Sequence, residues 1–110
     1  MDLFADKIAQ IGADTSVEAV NKTGKRVQVV GVRQTHRRTR TEHGDMMAFI
    51  TLEDLEGSLD VILFPDVYQR TLRSIFSHPG PLWVTGTIEL DQEGQEPYLR
   101  ADRVELLNNL

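Results

Sequence analysis

The sequence predicts an all-β domain, a five-stranded Greek-key barrel with a helix between strands 3 and 4 and a short N-terminal helical arm. Three observations indicate this fold. Apolar and polar residues alternate with a period of two over several segments of strand length, which is typical of sheets with one buried face. Polar turns containing glycine separate these segments. A stretch that begins with proline and has helical spacing interrupts them after the third strand.

Residues 1–24 are predicted to form a helical arm or linker outside the barrel domain, which is predicted over residues 25–107. The apolar residues with helical spacing are Phe4, Ile8 and Ile11. A second helical turn follows, and its candidate N-cap residues are Asp14, Thr15 and Ser16. We expect this arm to pack on the outside of the barrel.

The first strand is predicted over Lys25–Thr35, where valines alternate with polar residues until Gly31 interrupts the pattern. A glycine at a broken alternation indicates a bulge or a sharp bend. Residues 36–45 are polar, basic and contain Gly44, so they are interpreted as a hairpin loop.

The second strand is predicted over Met46–Glu53, and its alternation separates two faces. The residues expected to point into the barrel are Ala48, Ile50 and Leu52. The residues expected on the outer surface are Met47, Phe49, Thr51 and Glu53. Asp54 to Gly57 is predicted to be a turn, in which Gly57 would adopt a positive φ at little cost.

The third strand is predicted over Ser58–Phe64, and Pro65 begins a helix whose apolar side chains are Tyr68, Leu72, Ile75 and Phe76. The fourth and fifth strands are predicted over Leu82–Leu90 and Pro97–Leu107, with an acidic turn between them. Three strands, a helix and two further strands are the order of the oligonucleotide/oligosaccharide-binding (OB) fold, whose closure removes exposed sheet edges.

The charge of the chain is unevenly distributed. Its 110 residues suit one domain, and the net charge is −5. Residues 22–45 hold seven Lys or Arg against two acidic residues, a net +5, so that −10 remains for the rest of the chain. A basic segment on an acidic body can steer an anion to one face, although a solvated polar hairpin explains the same pattern.

Several classes of site are disfavoured. Without cysteine there is no disulfide and no thiolate metal site, and the three histidines lack zinc spacing. A turn explains Asp54, and solvation explains Glu53, Glu56 and Asp60, better than a magnesium site does. We expect no cofactor, no metal and no catalytic residue, and hence no enzymatic activity in this chain alone. No apolar run approaches about 18 residues and no signal peptide is evident, so we expect a cytoplasmic chain without a membrane partner.

Several segments resemble a known family. The strand from Val29 to Arg33, the run from Gly44 to Gly57, the strand and proline at Val61–Pro65, and Trp83–Ile88 resemble the OB domain near the C-terminus of bacterial DNA polymerase III α subunits. Arg33–Arg40 and Phe49–Asp54 are also similar, more loosely, to anticodon-binding OB domains of class II aminoacyl-tRNA synthetases. The resemblance to the polymerases implies a role in DNA replication, with other domains or subunits of a replicative polymerase as partners.

Phe49 is the leading candidate for the binding site, because an outward aromatic side chain can stack on any base. In the synthetase domains the matching phenylalanine stacks on an anticodon base, and basic residues of the preceding strand and loop contact RNA. The alternative is a ring that only covers the barrel. The candidate nucleic-acid-binding residues are Arg33, His36, Arg37, Arg38, Arg40, Met47, Phe49, Thr51, Tyr98 and Arg100. The arginines would contact phosphates, and Tyr98 fits either the groove or the core.

The leading hypothesis is therefore a module that binds single-stranded DNA within a polymerase. Two alternatives remain open. One is an anticodon or RNA-binding domain, which would recognise the 2′-OH. The other is a protein-interaction OB domain, for which the acidic body and the apolar arm would supply the docking surface.

Overall fold

Five strands and two helices follow one another in a computed structural model that describes residues 12–75, 80–92, 94 and 96–106. The elements are α1 (Ser16–Ala19), β1 (Arg26–Arg40), β2 (Met46–Glu53), β3 (Ser58–Leu63), α2 (Pro65–Ile75), β4 (Pro81–Leu90) and β5 (Pro97–Leu106). The strands close into a barrel in the order β1-β2-β3-β5-β4, in which only the β3–β5 pair is parallel. The predicted OB architecture, with its helix between strands 3 and 4, is confirmed.

The barrel interior is filled by alternate residues of every strand. The largest fully buried apolar side chains are Ile50, Leu52, Leu63, Leu82, Ile88 and Leu99. Each such side chain contributes about 1.5–3 kcal/mol when it leaves water. Ala48, Ile50 and Leu52 are at most 2% exposed, and their neighbours Phe49 and Thr51 are half-buried on the outside. The predicted alternation of β2 is therefore confirmed.

The hairpin between β1 and β2 is longer than predicted. Residues 36–40, interpreted as loop, continue β1 and pair with β2 until Arg40 lies opposite Met46. The connection is only Thr41–Asp45, where the Asp45 carbonyl accepts a 2.7 Å hydrogen bond from the Thr41 amide. The prediction was wrong because it relied on polarity, whereas β2 supplies backbone partners and an exposed ribbon tolerates charged side chains.

The irregularity of β1 lies beyond the glycine that predicted it. The register with β2 shifts between Arg33 and Thr35, so that Gln34 is the extra residue of a bulge. Gly31 has another role, because a Cβ built there would lie 2.8 Å from the carbonyl oxygen of Glu53. That glycine lets β1 approach β2 closely, and the bulge that follows resets which β1 side chains share a face with Phe49.

Other boundaries differ by a residue. β3 ends at Leu63, one residue before the predicted end, and β4 begins at Pro81, one residue early. Gly57 does not have a positive φ, so the predicted reason for a glycine there was wrong. The predicted arm residues Phe4, Ile8 and Ile11, together with Phe76 and Leu107, lie outside the described residues, as do the side chains of Leu72 and Ile75.

The part of the arm from residue 12 onwards is attached to the barrel. Thr15 caps α1 in a capping box with Glu18. The Asp54 carboxylate accepts hydrogen bonds from the Ser16 amide at 2.6 Å and from the Ser16 hydroxyl at 2.8 Å. A Cβ on Gly57 would lie 3.4 Å from that hydroxyl oxygen, so the glycine leaves room for the arm beside the β2–β3 turn.

Candidate nucleic-acid interface

The outer surface of β2 and the strands beside it form the face on which Phe49 lies. Phe49 lies opposite Arg37 on β1 and opposite Ile62 on β3. One pair of residues further along, Thr51 lies between Thr35 and Asp60. We call this surface the Phe49 face, and its residues are Thr35, Arg37, Met47, Phe49, Thr51, Asp60 and Ile62.

Arg37 covers the ring of Phe49. Its guanidinium carbon lies 5.1 Å from the ring centroid, within the range of a cation–π contact. Thr35 and Thr51 are hydrogen-bonded through their hydroxyls at 2.9 Å, and the Thr51 hydroxyl donates to Asp60 at 3.4 Å. The face therefore combines an aromatic ring, a cation and two hydroxyls, which are linked by hydrogen bonds to each other and to a carboxylate on the third strand.

A cleft of about 410 Å³ opens on this face. Arg37, Phe49 and Ile62 lie along it together with Thr51 and Tyr98. Apart from Arg37, the charged residues that line it are acidic, namely Asp60, Asp91 and Glu96. The cleft thus has a cationic aromatic side on β1 and β2 and an anionic side near the β4–β5 turn.

Glu89 organises the β5 side of the cleft. One of its carboxylate oxygens accepts a 2.9 Å hydrogen bond from the Tyr98 hydroxyl, and the other lies 3.2 Å from the Arg100 guanidinium. Burial and the bond to Glu89 raise the pKa of the Tyr98 hydroxyl. Tyr98 is thereby fixed beside the cleft, and Arg100 is paired with an internal anion.

The remaining basic residues of the hairpin lie on its other side. The β2 partners of Arg33, His36, Arg38 and Arg40 are Leu52, Ile50, Ala48 and Met46, respectively. Since residues opposite each other in an antiparallel pair share a face, these four side chains project away from Phe49. We call this surface the Arg38 face. Burial and the charges of Arg33 and Arg38 lower the pKa of His36.

The structure divides the ten predicted site residues into two groups. The Phe49 face and its cleft bring together Arg37, Met47, Phe49, Thr51 and Tyr98, and Arg100 adjoins them through Glu89. The Arg38 face holds the other four. Tyr98, for which the sequence left two interpretations, is half-buried at the cleft and is not in the hydrophobic core.

Sequence reasoning did not identify the acidic lining of the cleft. Asp60 was interpreted as solvated, although its place between Leu59 and Val61 in an alternating strand indicates the outer face. Asp91 and Glu96 flank a turn, and no local signal links them to Phe49. Only closure of the barrel brings that turn to the cleft.

The described residues give no indication of a metal site or a membrane span. Within residues 12–75, 80–92, 94 and 96–106, no three His, Asp or Glu side chains lie close enough to hold a metal ion. None of the described helices is both long enough and apolar enough to cross a bilayer.

Curated proteins similar to this chain are DNA polymerases. An error-prone DNA polymerase of Symbiobacterium thermophilum is 32% identical over 110 residues, which cover 98% of this chain and 10% of that protein. An error-prone DNA polymerase of Ruegeria pomeroyi is 34% identical over 103 residues, 94% of this chain and 8% of that protein. The chain thus spans about a tenth of the length of these relatives. No protein-family model matches the sequence.

Solved structures similar to this fold come from several kinds of protein. RecG bound to a three-way DNA junction superposes with a TM-score of 0.68 at 14% identity, covering 88% of this chain and 13% of that one. Asparaginyl-tRNA synthetase from Pyrococcus horikoshii superposes with a TM-score of 0.64 at 15% identity. The match covers 86% of this chain and 23% of the synthetase chain. OBody AM1L10 bound to hen egg-white lysozyme superposes with a TM-score of 0.62 at 18% identity. The match covers 87% of this chain and 93% of that one.

At these identities the structural similarity establishes only the fold. The sequence matches establish homology to a segment of the polymerases. The resemblance found in the sequence is confirmed: this chain is an OB-fold domain homologous to a segment of the bacterial error-prone DNA polymerases.

Proposed function

We propose that this chain is a module that binds single-stranded DNA along the Phe49 face, as part of a polymerase of the DNA polymerase III α type in DNA replication. The observation that carries the proposal is the Arg37–Phe49 pair at a cleft on the surface of an OB barrel. The homology to error-prone DNA polymerases supports it. Other domains or subunits of the polymerase would be its partners, and the cytoplasm its location.

A base would bind by taking the place of Arg37 over the ring. Stacking of a base on an aromatic side chain contributes about 1–3 kcal/mol, whereas an exposed cation–π contact contributes only about 0.5–1 kcal/mol. The exchange is therefore favourable. The displaced guanidinium can then form charge-assisted hydrogen bonds to the phosphate of the same nucleotide.

The acidic side of the cleft limits the affinity. Carboxylates from Asp60, Asp91 and Glu96 repel phosphates, so the DNA backbone is expected to follow the Arg37 side and to turn its bases toward the acids. Weak binding suits a module joined to a larger body, because attachment raises the effective concentration of template around it. In this proposal the chain contributes binding, and polymerisation belongs to other parts of the longer protein.

Titration of a fluorescent single-stranded oligonucleotide at low salt tests the proposal. Phe49→Leu keeps most of the apolar volume but removes the ring, and we expect affinity to fall by a factor of about 5 to about 140, which corresponds to about 1–3 kcal/mol. The matched control is Phe64→Leu, since Phe64 is 37% exposed and does not line the cleft. No binding by the unaltered chain, or equal losses in the two variants, would refute the proposal.

Competition between DNA and RNA of the same sequence distinguishes the polymerase proposal from an anticodon or RNA-binding role. We expect DNA to compete at least as well as RNA, because no contact to a 2′-OH is required by stacking on Phe49. A preference for an RNA loop of more than about ten-fold would favour an RNA-binding function instead.

A protein-interaction domain is the second candidate. The acidic lining of the cleft could accept a basic segment of another protein, and a similar fold is seen in OBody AM1L10 bound to lysozyme. Crosslinking to polymerase subunits, repeated with excess oligonucleotide and at high salt, tests this candidate. Crosslinks that require Phe49 but are insensitive to oligonucleotide would favour it over DNA binding.

A further inference from the structure

We propose that the Arg38 face is a second DNA-binding site, which contacts the phosphate backbone of duplex DNA next to the single strand held on the Phe49 face. The inference rests on the proposed function and extends it. Its consequence is that the hairpin prefers a junction between duplex and single-stranded DNA to a single strand alone.

The register of the hairpin separates the two sites. Arg37 is paired with Phe49, whereas Arg38 is paired with Ala48, so two adjacent arginines project from opposite sides of one ribbon. A single strand that lies on Phe49 must cross the edge of the hairpin before it can reach Arg38. A second segment of DNA backbone can contact Arg38 directly, without crossing that edge.

The chemistry of the Arg38 face suits paired bases. Its residues on β1 are cations and an imidazole, exposed except for the half-buried Arg33, whereas the β2 side chains opposite them are buried in the barrel apart from the half-buried Met46. No Phe, Tyr or Trp of the two hairpin strands lies on this face. It therefore offers charge without a stacking platform, which fits a duplex whose bases are already stacked and whose phosphates are exposed.

The spacing of the arginines fits a regular backbone. Residues two apart on a strand are separated by about 6.6–6.8 Å. Each strand of a duplex carries one phosphate per about 3.4 Å of helix axis. Because the phosphates wind around that axis, neighbouring phosphates of one strand lie farther apart than this rise, so Arg38 and Arg40 can each contact a different phosphate. Arg40 donates to the Gly44 carbonyl at 3.1 Å, which holds its guanidinium at the hairpin tip.

The pKa of His36 is a measure of anion binding on the Arg38 face. His36 lies on the Arg38 face, and burial together with the positive charges of Arg33 and Arg38 disfavours its imidazolium form and lowers its pKa. Its β2 partner is Ile50, which is uncharged. An anion bound among His36, Arg33 and Arg38 would offset the two positive charges, favour the imidazolium and raise the pKa of His36. A strand confined to the Phe49 face would leave that pKa unchanged.

The test compares two adjacent arginines on two DNA molecules. One DNA is a short single strand, and the other is the same strand extended by a duplex. Arg38→Ala is expected to weaken binding of the junction about three- to ten-fold while changing binding of the single strand less than two-fold. Arg37→Ala is the matched control, because it removes the same charge from the other face and is expected to weaken both DNA molecules.

A second measurement follows the His36 ring protons by NMR during a pH titration. The pKa of His36 should rise by at least half a unit with the junction and should not change with the single strand. If Arg38→Ala weakens both DNA molecules equally, or neither, while the single strand still binds, the second site is refuted and the proposed function survives. Failure of the unaltered chain to bind the single strand refutes the proposed function and this inference with it.

Discussion

At the scale of single residues, Glu89 controls how much positive charge the cleft presents. Its carboxylate fixes the Tyr98 hydroxyl and neutralises Arg100, the basic residue on the β5 side. In the proposed function, a DNA phosphate would have to compete with this carboxylate for the same guanidinium. We therefore expect Glu89 to be a positioning residue, which fixes the orientation of Tyr98 and lowers the proposed affinity for DNA.

Glu89→Gln should increase affinity for single-stranded DNA. The glutamine carbonyl still accepts a hydrogen bond from Tyr98, while Arg100 is released to a phosphate. We expect an increase of about two- to five-fold, since exposed ion pairs contribute at most about 1 kcal/mol. The slope of log K against log salt should steepen by about 0.7, the value for one additional phosphate contact on a single strand.

The control for that experiment is Glu105→Gln. Glu105 pairs with Arg103 at 3.5 Å on β5, beside Trp83 and away from the cleft, so its replacement makes the same change in net charge and also releases an arginine. If the two variants increase affinity equally, a general charge effect explains the gain and Glu89 has no specific role.

At the scale of elements, the contact between α1 and the β2–β3 turn joins the arm to the barrel. A four-residue helix is too short to be stable alone. It is held because Asp54 accepts hydrogen bonds from both the amide and the hydroxyl of Ser16, and from the amides of Glu56 and Gly57 in its own turn. One carboxylate thus shapes the turn and fixes the arm.

The pH dependence of stability should reveal this carboxylate. Burial alone would raise the pKa of Asp54, but the hydrogen bonds from Ser16, Glu56 and Gly57 outweigh it, and the folded-state pKa is lowered. A lowered carboxylate pKa gives stability that is present above the unfolded value, about 3.9, and is lost as pH falls through the folded value. Asp54→Asn should therefore lower the free energy of unfolding at pH 7 by about 1–2 kcal/mol.

Urea denaturation of the original chain and the variant, from pH 7 to pH 2.5, measures this effect. The difference between them should be constant above about pH 5 and shrink below about pH 4, because the protonated aspartic acid can no longer hold the same donors. Glu56→Gln is the control, since it removes a charge from the same turn and is exposed. A pH-independent difference for Asp54→Asn would show that its charge is not responsible.

At the scale of the whole molecule, the net charge of −5 disfavours binding of an anion, whereas the basic hairpin favours it. The barrel gathers acids from distant turns around the cleft, while the register places most hairpin cations on the Arg38 face. A single strand on the Phe49 face is therefore expected to meet few cations, chiefly Arg37 and Arg100.

The salt dependence of binding should reflect that small number. For about two phosphate contacts, log K for single-stranded DNA should fall against log salt with a slope of about −1 to −2. Fluorescence titrations between 20 and about 200 mM NaCl would measure it. A slope steeper than about −4 would mean that arginines of both faces contact one strand, contrary to the division that the register makes.

The sequence by itself determined the order of the strands, the position of the helix after Pro65 and the outward direction of Phe49. Those features depend on local signals, namely period-two alternation, turn residues and proline at a helix start, and these act over a few neighbouring residues. The same signals could not extend β1 through residues 36–40, because the partner that completes its hydrogen bonds is another strand.

Only the tertiary structure decided which charges accompany Phe49. A bulge between Arg33 and Thr35 sets the register, and since a shift of one residue exchanges the faces of a strand, it places Arg37 over the ring and turns Arg38 away. Closure of the barrel brings Asp91 and Glu96 to a cleft whose aromatic ring lies more than forty residues earlier in the chain. Neither the register nor the closure is encoded within one segment, because each depends on the pairing of strands that are distant in sequence.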